Sequence, residues 1–212
     1  ALRSDSLANG WRSGSRIAMT KTLIRLVAAA DSGAAFAIRA ERAADVPARE
    51  ALLDACFGVG RNARTCQRLR DGRRPAEGLA FSAIHQGRLV GTVRLWHVDA
   101  GGRSALVLGP LAVDGSCRKL GVGAALMKHA LAAAAARGHG AVILLGDEPY
   151  YARFGFSVAK MDKLSLPGPF ERDRLLGLEL RAGALDGAEG LIVATGAPAS
   201  RKSSRLTAAR AA

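Results

Sequence analysis

Arg118-Lys119-Leu120-Gly121-Val122-Gly123-Ala124 stands between an apolar, strand-like run at 105–113 and an Ala/Leu-rich helical pattern at 124–137. A glycine-rich turn that opens a helix presents backbone N–H groups without partners and the positive end of the helix dipole, which together suit an anion such as a pyrophosphate. The glycines alone say little, because 25 glycines in 212 residues give roughly three Gly-x-Gly triplets by chance. Others occur at Gly58/Gly60 and Gly138/Gly140. The Gly121/Gly123 triplet differs from both in having a strand before it, a helix after it and a basic residue three positions upstream.

Upstream, the 105–113 run contains Gly109-Pro110. Proline cannot donate to a ladder, so Gly-Pro inside a strand marks a bulge, or else divides the run into two short strands. Before it, 79–85 and 88–98 flank Gln86-Gly87 and read as a hairpin, and Asp99 to Arg103 is a second turn, which makes a three-strand meander. Downstream, Gly138 closes the helical pattern, 141–145 is a short buried-strand pattern, and Gly146-Asp147-Glu148-Pro149 turns into Tyr150-Tyr151-Ala152-Arg153-Phe154-Gly155-Phe156. Strand, glycine turn, helix and strand form a β-α-β unit.

The remaining elements are read in the same way. A short strand is expected at 36–40, and Asp45 is a plausible N-cap with Pro47 in the first turn of a helix that carries apolar residues at Leu52, Leu53, Cys56 and Phe57. An arginine-dense stretch at 58–78 reads as irregular or partly helical, and 175–180 and 191–194 are late strands. Residues 1–35 and 197–212 lack a sustained apolar period and are expected as disordered tails around one domain at 36–196.

The formal charge is +13, but the two tails carry nine basic and two acidic residues, so the body holds only about half of it. Such a body attracts polyanions in general. Interleaved aromatics, which a nucleic-acid stacking surface needs, are missing, so nucleic acid is disfavoured as a partner. No apolar run reaches the eighteen or so residues of a membrane span. Three cysteines without a C-x-x-C pair point to a reducing, cytoplasmic setting with no disulfide framework and no structural zinc, and Cys117 beside Arg118 reads as incidental.

Two motifs in order, the Arg118 to Ala124 turn after an interrupted strand and Tyr151-x-x-x-Gly155-Phe156 beyond the next strand, resemble the GCN5-related N-acetyltransferase (GNAT) superfamily. Leu108-Gly109-Pro110-Leu111-Ala112-Val113, Gly146-Asp147 and Tyr150 to Phe156 resemble more narrowly its YhbS-like bacterial branch. The resemblance spans about 36–195. It implies an α/β fold of layered α+β type: a mixed, mostly antiparallel sheet, splayed at a bulged strand and flanked by helices. It also implies acetyl-coenzyme A as co-substrate, an amine as acceptor, and no metal.

By that resemblance the amides of Leu120, Gly121, Val122, Gly123 and Ala124 cradle the pyrophosphate, Arg118 and Lys119 add charge, and the backbone of Leu111, Ala112 and Val113 meets the pantetheine arm. Lys119 reads equally well as a solvated loop charge. Tyr151, four residues before Gly155, takes the position of the acid that protonates the leaving thiolate, with Tyr150 as the neighbour that could be confused with it and packing alone as the lesser reading of either. The connection 146–149 departs from the family in lacking its usual Asn and Ala. For a general base the run 105–113 offers no Asp or Glu; Asp147 and Glu148 are the best-placed carboxylates, and His97 is an alternative. An acyl-coenzyme A sensor or an RNA-associated module would share the fold. The acceptor's identity and the oligomeric state are not written in the chain.

Overall fold

The computed structural model describes residues 35–199, so the expected tails lie outside the described residues except for Ala35 and residues 197–199. The chain runs through β1 (Ala37–Ala40), α1 (Val46–Phe57), two 3-10 turns (Val59–Ala63 and Thr65–Leu69), β2 (Ala80–His85) and β3 (Arg88–Ala100). Next come β4 (Ser104–Leu108), β5 (Ala112–Val113), α2 (Val122–Ala136), β6 (Ala141–Leu145) and the short α3 (Glu148–Tyr151). The last elements among the described residues are β7 (Leu164–Ser165), β8 (Leu175–Glu179) and β9 (Gly190–Ala194). At the β2–β3 hairpin Gln86 and Gly87 both take positive φ, 47° and 75°, the turn whose twist matches that of its strands.

The sheet order is β1-β2-β3-β4-β6-β8, antiparallel at every step except β4 against β6, where α2 makes the crossover. β9 adds to the far end of β3, and β7 lies parallel to β9. The run expected as one bulged strand at 105–113 is two strands on the same edge of β3. Leu108 pairs with Leu95 and Ala112 with Thr92, so four steps on one side run alongside three on the other, with the cis Gly109-Pro110 peptide between them. The extra residue is that of a bulge, and proline's missing donor is why the ladder stops there.

Two apolar layers cover the sheet. On one face α2 lays Val122, Leu126, Met127, Ala130 and Ala134 against Val93, Leu95, Leu106, Leu108, Val142 and Leu144. The helix comes this close because β3 carries Gly91: a Cβ there would lie 2.8 Å from Val122 Cγ1 and 2.9 Å from Leu126 Cδ1. On the other face α1 packs Leu52 and Leu53 near Ala112, and a second cluster around Trp96, Val98, Val107, Ile143 and Leu175 fills the rest. Residues 197–199 extend the body past the expected limit at 196, because Arg74 N donates to Ala197 O and Ala199 N to Gly72 O. No helix among the described residues is long and apolar enough to cross a membrane.

Under α1 the sheet carries charge. Arg49 holds Glu41 at 2.5 Å, and Arg94 of β3 grips the same carboxylate through Nε at 2.6 Å. Burial pushes the Glu41 carboxyl above its usual value even against Arg49. Asp45 stands at the N-cap position of α1, as expected, but its side chain does not cap that helix. It accepts from Arg39 at 2.6 and 2.8 Å, from Arg42 N at 2.8 Å and from Ser82 Oγ at 3.1 Å, which ties the start of α1 to β1 and β2.

The Arg39 hydrogen bonds hold the Asp45 carboxyl far below the ordinary carboxylate range. A folded value below the unfolded one contributes stability that is complete above about pH 3.9 and fades as pH falls through the folded value. Asp45→Asn is therefore expected to lower the thermal midpoint near neutral pH, with a difference from wild type that shrinks toward pH of about 2. Melting curves across that range check it, and a difference independent of pH would contradict it.

Candidate functional site

The turn before α2 is built by Asp114, which accepts from Ser116 N at 2.9 Å and Ser116 Oγ at 2.6 Å and so starts a 3-10 turn at Gly115–Leu120. That turn exposes Arg118, Lys119 and Leu120 and buries Cys117 in the core, where the thiol is a packing residue. Gly121 then takes φ 76°, a left-handed conformation that costs other residues roughly 1–2 kcal/mol. The first bond of α2 runs from Ala125 N to Gly121 O at 3.0 Å. The amides of Val122, Gly123 and Ala124 consequently have no acceptor within the helix. These three are the donors that the helix geometry supplies, and Leu120 stands in the turn ahead of them. Among the described residues, its own neighbours in the chain aside, no atom comes within 4 Å of where a Gly121 Cβ would sit, so the approach is open.

β5 meets this helix end directly: a Cβ on Gly123 would lie 3.4 Å from Val113 Cγ2. Asp114 N donates to Val90 O, so by the two-residue alternation of an antiparallel ladder Ala112 also turns its amide toward β3. Leu111 and Val113 turn theirs the other way. In a closed sheet β6 would take those amides, but pairing between β4 and β6 is confined to Leu106 with Val142 and Val107 with Ile143. Beyond those pairs the sheet is open. Of the three residues expected at the pantetheine, the geometry directs the Leu111 and Val113 amides to the opening and gives the Ala112 amide to the ladder.

The two adjacent tyrosines, of which the resemblance favours Tyr151 as the acid, have different places. Tyr150 reaches the helix end, its hydroxyl 3.1 Å from where a Gly123 Cβ would be, and the Arg153 guanidinium covers its ring at 3.9 Å. Tyr151 packs its ring against Gly146, where any Cβ would collide with it, and meets Phe156 at 6.1 Å and Tyr150 at 4.9 Å between ring centroids. Burial, with Tyr150 and the Asp147 carboxylate adding to it, pushes the Tyr151 phenol up to about 12. Among the described residues neither hydroxyl has a hydrogen-bond partner, and neither is among the fully buried atoms that lack one.

Asp147 is exposed and lies 3.2 Å from Arg174. Glu148 is exposed in the first turn of α3. His97, the alternative base, is directed elsewhere: its ring meets His139 at 5.3 Å, tilted by 50°, beyond the C-terminal end of α2 and so about 20 Å along the helix from the glycine turn. Among the described residues no group of three or more His, Cys, Asp or Glu side chains gathers as a metal site. The sequence reading missed Tyr150 at Gly123 and the charged layer under α1. No spacing signals either, since both join residues distant in the chain.

The family model described as Acetyltransferase (GNAT) family matches residues 47–156. The chain is 32% identical over 157 residues to Uncharacterized N-acetyltransferase YhbS of Escherichia coli, an alignment that covers 73% of this chain and 93% of that protein. The crystal structure of Escherichia coli YhbS, a GNAT family N-acetyltransferase in complex with CoA, superposes with a TM-score of 0.66 at 31% identity and covers 77% of this chain and 92% of that one. A GNAT family acetyltransferase from Brucella melitensis in complex with acetyl-CoA aligns at 24% identity with a TM-score of 0.49, over 71% of this chain and 98% of that one. The chain belongs to the GNAT acetyltransferase family.

The chain has two tyrosines, so Tyr151→Phe removes one of two contributions to the absorbance near 295 nm. Tyr151 is expected to stay un-ionised at about pH 11, and Tyr151→Phe is expected to leave the rise below that pH unchanged. Loss of half of that rise in the variant would contradict the burial assigned to Tyr151.

Proposed function

We propose that this chain transfers acetyl from acetyl-coenzyme A directly to a primary amine. What carries the reading is one juxtaposition: the free amides of Val122, Gly123 and Ala124 and the outward amides of Leu111 and Val113 face a single opening in the sheet. The first set suits a pyrophosphate, with Arg118 and Lys119 adding exposed positive charge, and each charge–dipole contact is worth roughly 0.3–1 kcal/mol. The second set suits the amides and the thioester carbonyl of an extended arm, where donors aimed at developing negative charge act most strongly. Bound there, acetyl-coenzyme A would supply an acetyl thioester: the amine nitrogen bonds to the carbonyl carbon, the C–S bond breaks, sulfur takes a proton and nitrogen sheds one.

Tyr151 is the group we assign to the sulfur. Against a thiol near 8.5, a phenol at about 12 gives up its proton only by a climb of roughly 3.5 units, or about 5 kcal/mol. Its contribution therefore begins as a hydrogen bond that stabilises the departing thiolate, with the proton following as the bond breaks. Tyr150, beside Gly123, belongs to cofactor binding in this reading. The proton shed by nitrogen after attack passes through water to Asp147, whose exposure keeps that route open.

Two outcomes test the assignment. Replacing both Gly121 and Gly123 with Val is expected to weaken coenzyme A binding at least about tenfold by calorimetry, and unchanged affinity in a folded variant would remove the cradle. Tyr151→Phe keeps the ring and is expected to lower single-turnover acetyl transfer by about 10²-fold with little change in coenzyme A affinity, and Tyr150→Phe to act mainly on that affinity. A near-wild-type single-turnover rate for Tyr151→Phe would reject the role given to it.

A further inference from the structure

On the face of the sheet opposite α2, the arginine-dense stretch crosses β3 and leaves one guanidinium in an unusual setting. Arg70 lies over the indole of Trp96 at 5.4 Å, and its Nε donates to Cys66 O at 3.2 Å. Its two terminal nitrogens have no hydrogen-bond partner among the described residues, and neither is completely buried. No carboxylate lies within 4.0 Å of it among the described residues, and Asp71, next to it in the chain, accepts instead from Gln67 at 2.5 Å. Burial pulls the Arg70 guanidinium below the usual arginine value, against the opposing pull of Cys66 and Asp71, with Arg61 and Arg64 pushing the same way as burial. Arg61 is neutralised by Glu50 at 2.5 Å and Asp54 at 2.7 Å, whereas Arg64 stacks on Phe57 at 5.2 Å with no carboxylate partner among the described residues.

This half-buried fork lies beside the opening. Trp96 pairs with Val107, one pair short of the end of β4, so it stands roughly 7 Å along the strands from Gly109. Its side chain belongs to the cluster on the face away from α2. The loop 165–174 closes over the same region, with Pro169 O accepting from Thr65 and Pro167 O from Arg68 at 2.5 Å. A cofactor seated on α2 reaches the opening from one face, which leaves the face of Trp96 and Arg70 to the second substrate. A guanidinium that is partly desolvated, stacked on an aromatic ring and left with both terminal nitrogens free is a bidentate receptor for an oxyanion.

Resting on the acetyltransferase reading above, we infer that the acceptor is an amine that also carries an oxyanion, a carboxylate or a phosphate monoester, which Arg70 receives against Trp96 with Arg64 adding charge. Matched acceptors test this: β-alanine against β-alaninamide, and phosphoethanolamine against ethanolamine. The anionic member of at least one pair is expected to have a kcat/KM higher by about tenfold or more, and the pair that responds names the oxyanion. Arg70→Met is expected to bring that ratio near one, and Lys163→Gln, which removes the same charge from a surface ion pair with Glu189, to leave it in place. Equal rates within both pairs, or a ratio that survives Arg70→Met, would overturn the inference.

A second readout needs no turnover. With Trp11 replaced by Phe, Trp96 is the remaining indole, and malonate or inorganic phosphate is expected to shift its emission saturably in the protein loaded with coenzyme A. Arg70→Lys, which keeps the charge but not the fork, is expected to weaken that binding should Arg70→Met fail to fold. An anion titration without any acetylated amine would leave the oxyanion site standing and remove the transferase reading. Acetyl transfer with no anion preference and no titration would do the reverse.

Discussion

The architecture depends on how one long strand shares its edge. β3 runs for 13 residues and carries β4 near one end and β5 near the other, out of step by one residue at Gly109-Pro110. Because β3 is continuous, the interruption does not divide the fold. It only removes β5 from the reach of β6, and the parallel pairing of β4 with β6 ends after two residue pairs. Outward amides of β5 that a closed sheet would consume are left for a ligand. An unpaired buried amide is costly, so such a strand is stable only where water or a bound molecule takes its donors.

The same region sets the helix. Gly91 on β3 lets Val122 and Leu126 press onto the sheet, and this fixes the N-terminus of α2 beside β5, with Val113 against Gly123. Helix end and open strand then share one cleft, one offering a dipole and three free amides, the other two amides at the spacing of alternate strand residues. Neither alone distinguishes an anion site from an ordinary turn. Their adjacency gives the family's two motifs a physical meaning, since both must exist for a long ligand with a charged middle and a reactive end.

Much of this was legible in the chain because glycine and proline punctuate it. Gly121, Gly109-Pro110, Gln86-Gly87 and Gly138 each force a backbone event that a single sequence can express, and the strands and helix between them follow from apolar periodicity. The two-strand outcome at 105–113 was one of two readings that Gly-Pro allows, and the β3 register decides between them. What sequence could not express are contacts between residues far apart in the chain: Arg94 with Glu41, Tyr150 at Gly123, Arg70 on Trp96. Asp45 illustrates the difference. Its position predicts a helix cap, yet Arg39 from β1 offers a stronger, charge-assisted partner and takes the carboxylate.

The central claim is that β5 and the start of α2 form one ligand surface. Amide hydrogen exchange followed residue by residue, with and without coenzyme A, tests it most directly. The account predicts new protection at Leu111, Val113, Val122, Gly123 and Ala124 together, with Ala112 already protected in the free protein by its bond to β3. Protection confined to other parts of the chain, or an Ala112 amide that exchanges as freely as its neighbours before ligand is added, would contradict it.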